Sequence, residues 1–95
     1  MRLERVLELA RAGGPPAQVT VSIGPPVQVG EDWTAALEIV GLSEPHRSEH
    51  HGVDSLSAVL AAARIAPVVL ESIAGPGALT WLGDPDLGFP FLPFS

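Results

Sequence analysis

The sequence has 95 residues, of which 46% are hydrophobic, a mean hydropathy of +0.32 and a formal net charge of −6. A chain of this length is expected to form a single small domain, and its negative charge, with five scattered arginines, argues against binding to nucleic acid. The absence of cysteine, lysine and tyrosine removes disulfides, thiolate metal sites, Schiff-base chemistry and the lysine of a phosphate-binding loop.

The start of the chain predicts a cytoplasmic protein that does not enter a membrane. Glu4 and Glu8 lie where a signal peptide needs an apolar run, and no stretch approaches the ~18–20 uninterrupted apolar residues of a membrane span. The hydrophobic content nevertheless exceeds what the core of a small domain can bury. We therefore expect self-association, with a homodimer as its simplest form.

The first part of the chain predicts a β-hairpin, but its first segment could be either a strand or a helix. In residues 3–11 the apolar positions follow the 3.6-residue period of a helix better than the alternation of a strand. The turn cluster GGPPAQ at 13–18 and the alternating sequence VTVSI at 19–23 instead favour a strand, a loop and a second strand. The residues alone leave both structures open for the first segment.

Loops and a third strand are predicted next. GPPVQVGED at 24–32 holds a Pro-Pro pair and two glycines, which is typical of a loop. WTAALEIV at 33–40 alternates apolar and polar residues and predicts a strand with one face on the core. GLSEPHRSEHHG at 41–52 has almost no apolar content, so we expect the longest exposed loop there.

The clearest helix covers residues 54–73, with Asp54 as its N-cap. Pro67 lies deep in this helix, where it removes a backbone donor and clashes with the carbonyl of Ala63, so we expect a kink or break near residues 63–67. The expected buried stripe consists of Leu56, Val59, Leu60, Ala63, Leu70 and Ile73.

A short fourth strand at 78–82 and a turn at 83–88 follow the helix. Asp84 and Asp86 in this turn have the spacing of a carboxylate pair that could do metal or acid–base chemistry. The simpler interpretation is stronger, because aspartate in a turn accepts hydrogen bonds from its own backbone.

Several short motifs mark the chain: I-G-x-P at 23–26, D-W at 32–33, I-x-G-L at 39–42, G-V-D-S-L at 52–56, L-T-W-L-G at 79–83 and L-G-F-P at 87–90. In these motifs the chain resembles DUF6968, a family of small bacterial proteins known as a domain of unknown function. The resemblance covers roughly residues 3–90 and implies a compact α+β domain whose first segment is a strand. It implies no reaction. Pro67 and the ending FLPFS depart from the family's pattern.

We therefore predict an α+β fold in the order β-β-β-α-β. An antiparallel sheet of about four strands carries one long helix, kinked at Pro67, on one face. The single domain spans residues 1–95, and residues 89–95 form an extended tail rich in phenylalanine and proline.

Three histidines are the candidate metal ligands. His46, His50 and His51 lie close together in the polar segment at 44–54, among carboxylates. The H-x-x-x-H spacing of His46 and His50 brings both rings to one metal only if this segment is helical. A solvated polar loop is the stronger interpretation, so we predict no cofactor.

The aromatic ending supplies the candidate partner-binding residues: Trp81, Phe89, Phe91, Leu92 and Phe94. Trp81 and Phe89 suit one end of the core, whereas the last three exceed what a small core can accommodate. We expect some of them to contact a second subunit or another protein.

No catalytic triad or phosphate-binding loop occurs at usable spacing, so we predict that the protein is not an enzyme. The favoured function is a small protein-interaction module, by analogy an immunity-like or antitoxin-like partner. The alternative is a small-ligand or metal-binding protein that uses the segment at 44–54.

Overall fold

The computed structural model describes residues 2–10, 13–75, 78–84 and 86–89. Six strands and one helix occur in these residues: β1 (Leu3–Leu9), β2 (Ala17–Ile23), β3 (Val27–Val29), β4 (Asp32–Val40), β5 (His46–Gly52), α1 (Ser55–Ala74) and β6 (Leu79–Thr80). The strands form an antiparallel sheet and the helix packs on one face of it, so the predicted α+β class is confirmed. The ambiguous first segment is a strand that pairs with β2, as the family resemblance implies.

β4 organises the sheet because it pairs with three other strands. β5 lies along one edge of β4, from Trp33 to Ile39. A strand has only two edges, so β2 and β3 share the other one, with β3 beside the start of β4 and β2 beside its end. β1 then pairs with β2, and β6 pairs with the end of β1.

Two segments predicted as loops contain strands. Residues 24–32 include β3, a short strand whose valines are exposed, between the prolines and glycines that suggested a loop. Residues 41–52, predicted as the longest exposed loop, include β5. β5 escapes recognition because it is an edge strand whose inward residues His46, Ser48 and His50 are only half-buried, so it lacks the apolar alternation of a core strand.

The core lies between the helix and the inward face of the sheet. The sheet contributes side chains from β1, β2, β4 and β6, and the helix contributes mainly alanine. The buried residues are Leu7, Val19, Val21, Ile23, Ala35, Leu37, Ile39, Ala58, Ala62, Ala66, Leu70 and Leu79. The other sheet face is polar, and Arg2 donates there to the Ser22 hydroxyl at 2.8 Å. One packed and one wet face is the usual arrangement of an antiparallel sheet.

The predicted buried stripe of α1 is correct only in part: Leu70 is fully buried and Val59 and Ala63 pack against the core, but Leu56, Leu60 and Ile73 are not core residues. The fully buried face consists of Ala58, Ala62, Ala66 and Leu70, whereas Leu56 is 65% exposed. Apolar residues lie on nearly every side of this helix, so their period does not decide which side faces the sheet. The side that faces the sheet is the side with the alanines, because these small side chains let the helix backbone come nearest to the strands.

The start of α1 is confirmed as predicted, and its interior differs. Asp54 is the N-cap, and its carboxylate accepts a hydrogen bond from the Ser57 N–H at 2.7 Å, which lowers the pKa of Asp54. The helix runs without interruption through Pro67, so the predicted break does not occur. A bend at Pro67 stays a prediction.

Gly52 gives the G-V-D-S-L motif a physical basis. A Cβ atom added to Gly52 would lie 2.4 Å from the Ala58 nitrogen and 2.7 Å from the Ser57 Cβ. The end of β5 and the first turn of α1 are therefore in direct backbone contact. Only glycine fits at this position without moving the helix.

We predict that Gly52→Ala destabilises the fold, because the added methyl group displaces the first turn of α1. The free energy of unfolding should fall by about 1–3 kcal/mol, measured by urea denaturation followed by circular dichroism. Gly14→Ala is the matched control, since its Cβ would meet nothing within 4 Å. Equal stability of the two variants would contradict the close contact.

Candidate functional site

The outer face of α1 exposes apolar side chains that the rest of the described fold leaves uncovered. We define it as the side of the helix opposite the buried alanines, made by Leu56, Leu60, Arg64, Pro67, Val68 and Glu71, of which Leu60 and Pro67 are half-buried. Leu56 is 65% exposed and Val68 is 58% exposed, and Val53, just before the helix, is 78% exposed. Most of the apolar surface of these side chains therefore stays in contact with water in a single copy.

The composition of α1 underlines this exposure. By length and composition alone the helix could cross a membrane, since its mean hydropathy over an 18-residue window is 1.7, and 22% of that window is buried. A core helix of a small domain meets the same criterion. The sequence analysis did not identify the outer face as exposed, because it assigned Leu56 and Leu60 to the buried side of the helix.

Arg64 and Glu71 are the only charged residues of α1, and both belong to the outer face. They are two helical turns apart, about 10 Å along the axis. In the part of the chain that the structure describes, the ion pairs join Arg2 to Glu4 and Arg47 to Glu38. The outer face thus presents one positive and one negative group, separated by apolar side chains.

The C-terminal aromatics build a second feature around Arg5. The guanidinium carbon of Arg5 lies 3.9 Å from the ring centre of Trp81 and 5.2 Å from that of Phe89. Arg5 Nη1 also donates a hydrogen bond to the carbonyl oxygen of Leu87 at 3.0 Å. Cation–π contacts of this kind hold both the arginine and the rings in place.

Trp81 and Phe89 therefore pack partly in cis, where Leu87 joins them against the core. The other predicted partner-binding residues, Phe91, Leu92 and Phe94, lie outside the described residues. Arg5 carries no signal in the sequence, because a lone arginine in an alternating strand is typical of a solvent-facing position.

The turn at 83–88 has a structural role. Asp84 Oδ1 accepts a hydrogen bond from the Asp86 N–H at 2.8 Å, and Asp86 Oδ1 accepts one from the Gly88 N–H at 2.9 Å. Both aspartates thus bond to nearby backbone, as the simpler interpretation predicts. The turn brings Gly88 against the Trp81 ring, which positions Phe89 beside Arg5.

The three histidines are divided between the two faces of β5. His46, Ser48 and His50 point to the helix side, and His51 points to the other side, because strand residues alternate. The Ser48 hydroxyl lies 2.9 Å from His46 Nε2 and 2.7 Å from His50 Nε2. A hydroxyl has one proton, so it donates to one ring and accepts from the N–H of the other.

This arrangement does not gather a metal site in the described part of the chain, where no group of three or more His, Asp or Glu residues is placed to hold an ion. Two histidines bridged by a serine instead form a short polar ladder at the sheet edge. Partial burial, with the charges of His46 and His51 as further causes, lowers the pKa of His50 from its usual 6.5.

Comparison with known proteins gives a family and no function. The family model DUF6968, a domain of unknown function, matches residues 3–91. No curated protein and no solved structure matches the chain. Any function must therefore be argued from the surfaces described above.

We predict that Gly88→Ala loosens the aromatic contacts around Arg5, because a Cβ at this position would lie 2.5 Å from Trp81 Cζ3. Gly83→Ala is the matched control: both glycines have positive φ, and a Cβ on Gly83 would meet nothing within 4 Å. Gly88→Ala should lose about 1–3 kcal/mol more stability than the control, with a red shift of tryptophan emission. Equal stability and equal tryptophan emission in the two variants would contradict the contact with Trp81.

We also predict that the free energy of unfolding depends on pH through the protonation of His50. Because the folded state lowers the pKa of His50, the unfolded chain takes up the proton first. Stability is thus full above the unfolded pKa of about 6.5 and is lost as the pH falls through the lower folded pKa. Urea midpoints measured from about pH 7.5 to about pH 5.5 should fall less in His50→Gln than in the parent protein.

His51→Gln provides the comparison for this experiment. His51 is a lesser cause of the lowered pKa than burial, so His51→Gln should retain most of the pH effect. An unchanged pH profile in His50→Gln would contradict the assignment.

Proposed function

The chain belongs to the DUF6968 family, a domain of unknown function, and we propose that it is a non-enzymatic protein-interaction module that binds through the outer face of α1. The observation that carries this proposal is the exposure of Leu56 and Val68 on a helix whose inner face is already packed. Burial of apolar side chains is the main favourable term in protein association. A free apolar helix face therefore favours binding to a complementary surface.

A second copy of the chain is the partner that fits this face. Arg64 and Glu71 have opposite charges and belong to one face of one helix. In an antiparallel pair of α1 helices, a twofold axis between Pro67 and Val68 sets Arg64 of each copy opposite Glu71 of the other. The interface is then isologous, with two symmetric ion pairs flanking an apolar centre.

A lipid surface fits this face less well. The net charge of −6 repels the anionic surface of a membrane. Arg64 and Glu71 at the middle of the outer face would also be costly to place in hydrocarbon. Both charges are satisfied in a protein interface that pairs them.

The expected dimer is weak. A single helix pair buries less than the ~1,200–2,000 Å² of a standard interface, so we expect a dissociation constant in the micromolar range. Sedimentation equilibrium over a concentration series detects such a dimer. Vesicle co-sedimentation without self-association would contradict the proposal and favour a membrane role.

We predict that Arg64→Glu and Glu71→Arg each weaken the dimer by about tenfold or more, because each sets like charges opposite one another. The double variant R64E/E71R restores both pairs with reversed polarity, so its dissociation constant should return to within about threefold of the parent value. Recovery in the double variant distinguishes a direct pair from general damage. Dissociation constants equal to that of the parent in all three variants would contradict this geometry.

A truncation to residues 1–90 separates this surface from the predicted partner-binding residues Phe91, Leu92 and Phe94. If the outer face of α1 carries the dimer, the truncated chain should associate as tightly as the full chain. If the truncated chain is instead a folded monomer, the dimer interface lies in the aromatic ending.

A further inference from the structure

The packing of α1 leaves one half of the inward sheet face without a helix. α1 lies mainly over β4 and β5 and makes few contacts with β2. Trp81, Leu87 and Phe89 cover part of the other half from the C-terminal side. Between these two covers the described residues leave a cavity of about 210 Å³ that is partly open to solvent.

The walls of this cavity are mostly apolar. β1 and β2 provide the floor, α1 provides one wall through Val59 and Ala63, and Phe89 provides the opposite wall. Well-packed interiors hold few voids larger than a water molecule, and an apolar cavity of about 150 Å³ is large enough for benzene. The space therefore suits an apolar group of roughly six to eight non-hydrogen atoms.

Arg5 gives the cavity a charge preference. It lines the cavity, and the rings of Trp81 and Phe89 and the carbonyl of Leu87 hold its guanidinium. Within the described residues, no carboxylate forms an ion pair with Arg5. Glu4 also lines the cavity, but its carboxylate lies 3.7 Å from Arg2 Nε, and strand alternation directs it to the other sheet face.

We infer that this cavity is a binding site for a small apolar carboxylate, with the carboxylate on Arg5 and the hydrocarbon between α1 and Phe89. A guanidinium is always charged, and its planar array of donors matches the two oxygens of a carboxylate. One donor of Arg5 bonds to the Leu87 carbonyl, and its other donors have no hydrogen-bond partner among the described residues. The site is independent of the outer face of α1.

Hexanoate and hexan-1-ol are suitable probes, because they share a chain length and differ in charge. Trp33→Phe leaves Trp81 as the sole tryptophan, so its fluorescence reports the site in the full-length chain. Hexanoate should change this fluorescence saturably, and hexan-1-ol should bind at least about tenfold more weakly, because it lacks the charge that Arg5 pairs with.

Two variants test the two parts of the site. Arg5→Met should remove the preference for hexanoate, and Ala63→Leu, which fills the cavity and keeps Arg5, should abolish binding of both probes. Circular dichroism identifies any variant that fails to fold. The inference is then tested with the variant that does fold.

Four results would overturn the inference: no saturable change with either probe, equal binding of hexanoate and hexan-1-ol, an unchanged preference in a folded Arg5→Met, or an unchanged affinity in a folded Ala63→Leu. Binding that occurs only after deletion of residues 90–95 would also overturn it for the full chain. In that case the chain's own ending, which follows Phe89 directly, is the occupant of the cavity.

Discussion

The close approach of α1 to the sheet is the constraint on which the rest of the structure depends. Gly52 admits the first turn of the helix, and Ala58, Ala62 and Ala66 keep the following turns near β4 and β5. Small residues inside gain contact between backbones at the expense of buried side-chain area. Apart from Leu70, the larger apolar residues of the helix consequently lie at its sides or face solvent.

A helix held this close to β4 and β5 cannot also cover β1. The chain covers that side by returning after α1 to add β6 to the edge of β1 and by placing Trp81 and Phe89 over Arg5. An arginine on the inward face of a sheet would be costly without compensation, and the aromatic rings and a backbone carbonyl provide it. Trp81 and Phe89 thus partly cover a charged side chain.

Local sequence patterns predicted the elements with strong local signals. The alternation in β2 and β4 and the N-cap Asp54 were identified correctly because each depends on neighbouring residues alone. β5 was missed because its hydrogen bonds to β4, rather than any apolar alternation, make it a strand. The inward side of α1 and the position of Arg5 depend on distant contacts with Gly52 and Trp81, which no local pattern records.

The same constraint accounts for the hydrophobic surplus of a small acidic chain. Because alanines occupy most of the buried face of α1, leucine and valine on the outer face remain exposed, and the two charges of the helix lie beside them. Opposite charges on one face restrict which apolar surfaces can dock there, since a partner must present the reversed pair. Another copy of the helix, in antiparallel orientation, meets this requirement by symmetry alone, without a separately evolved partner surface.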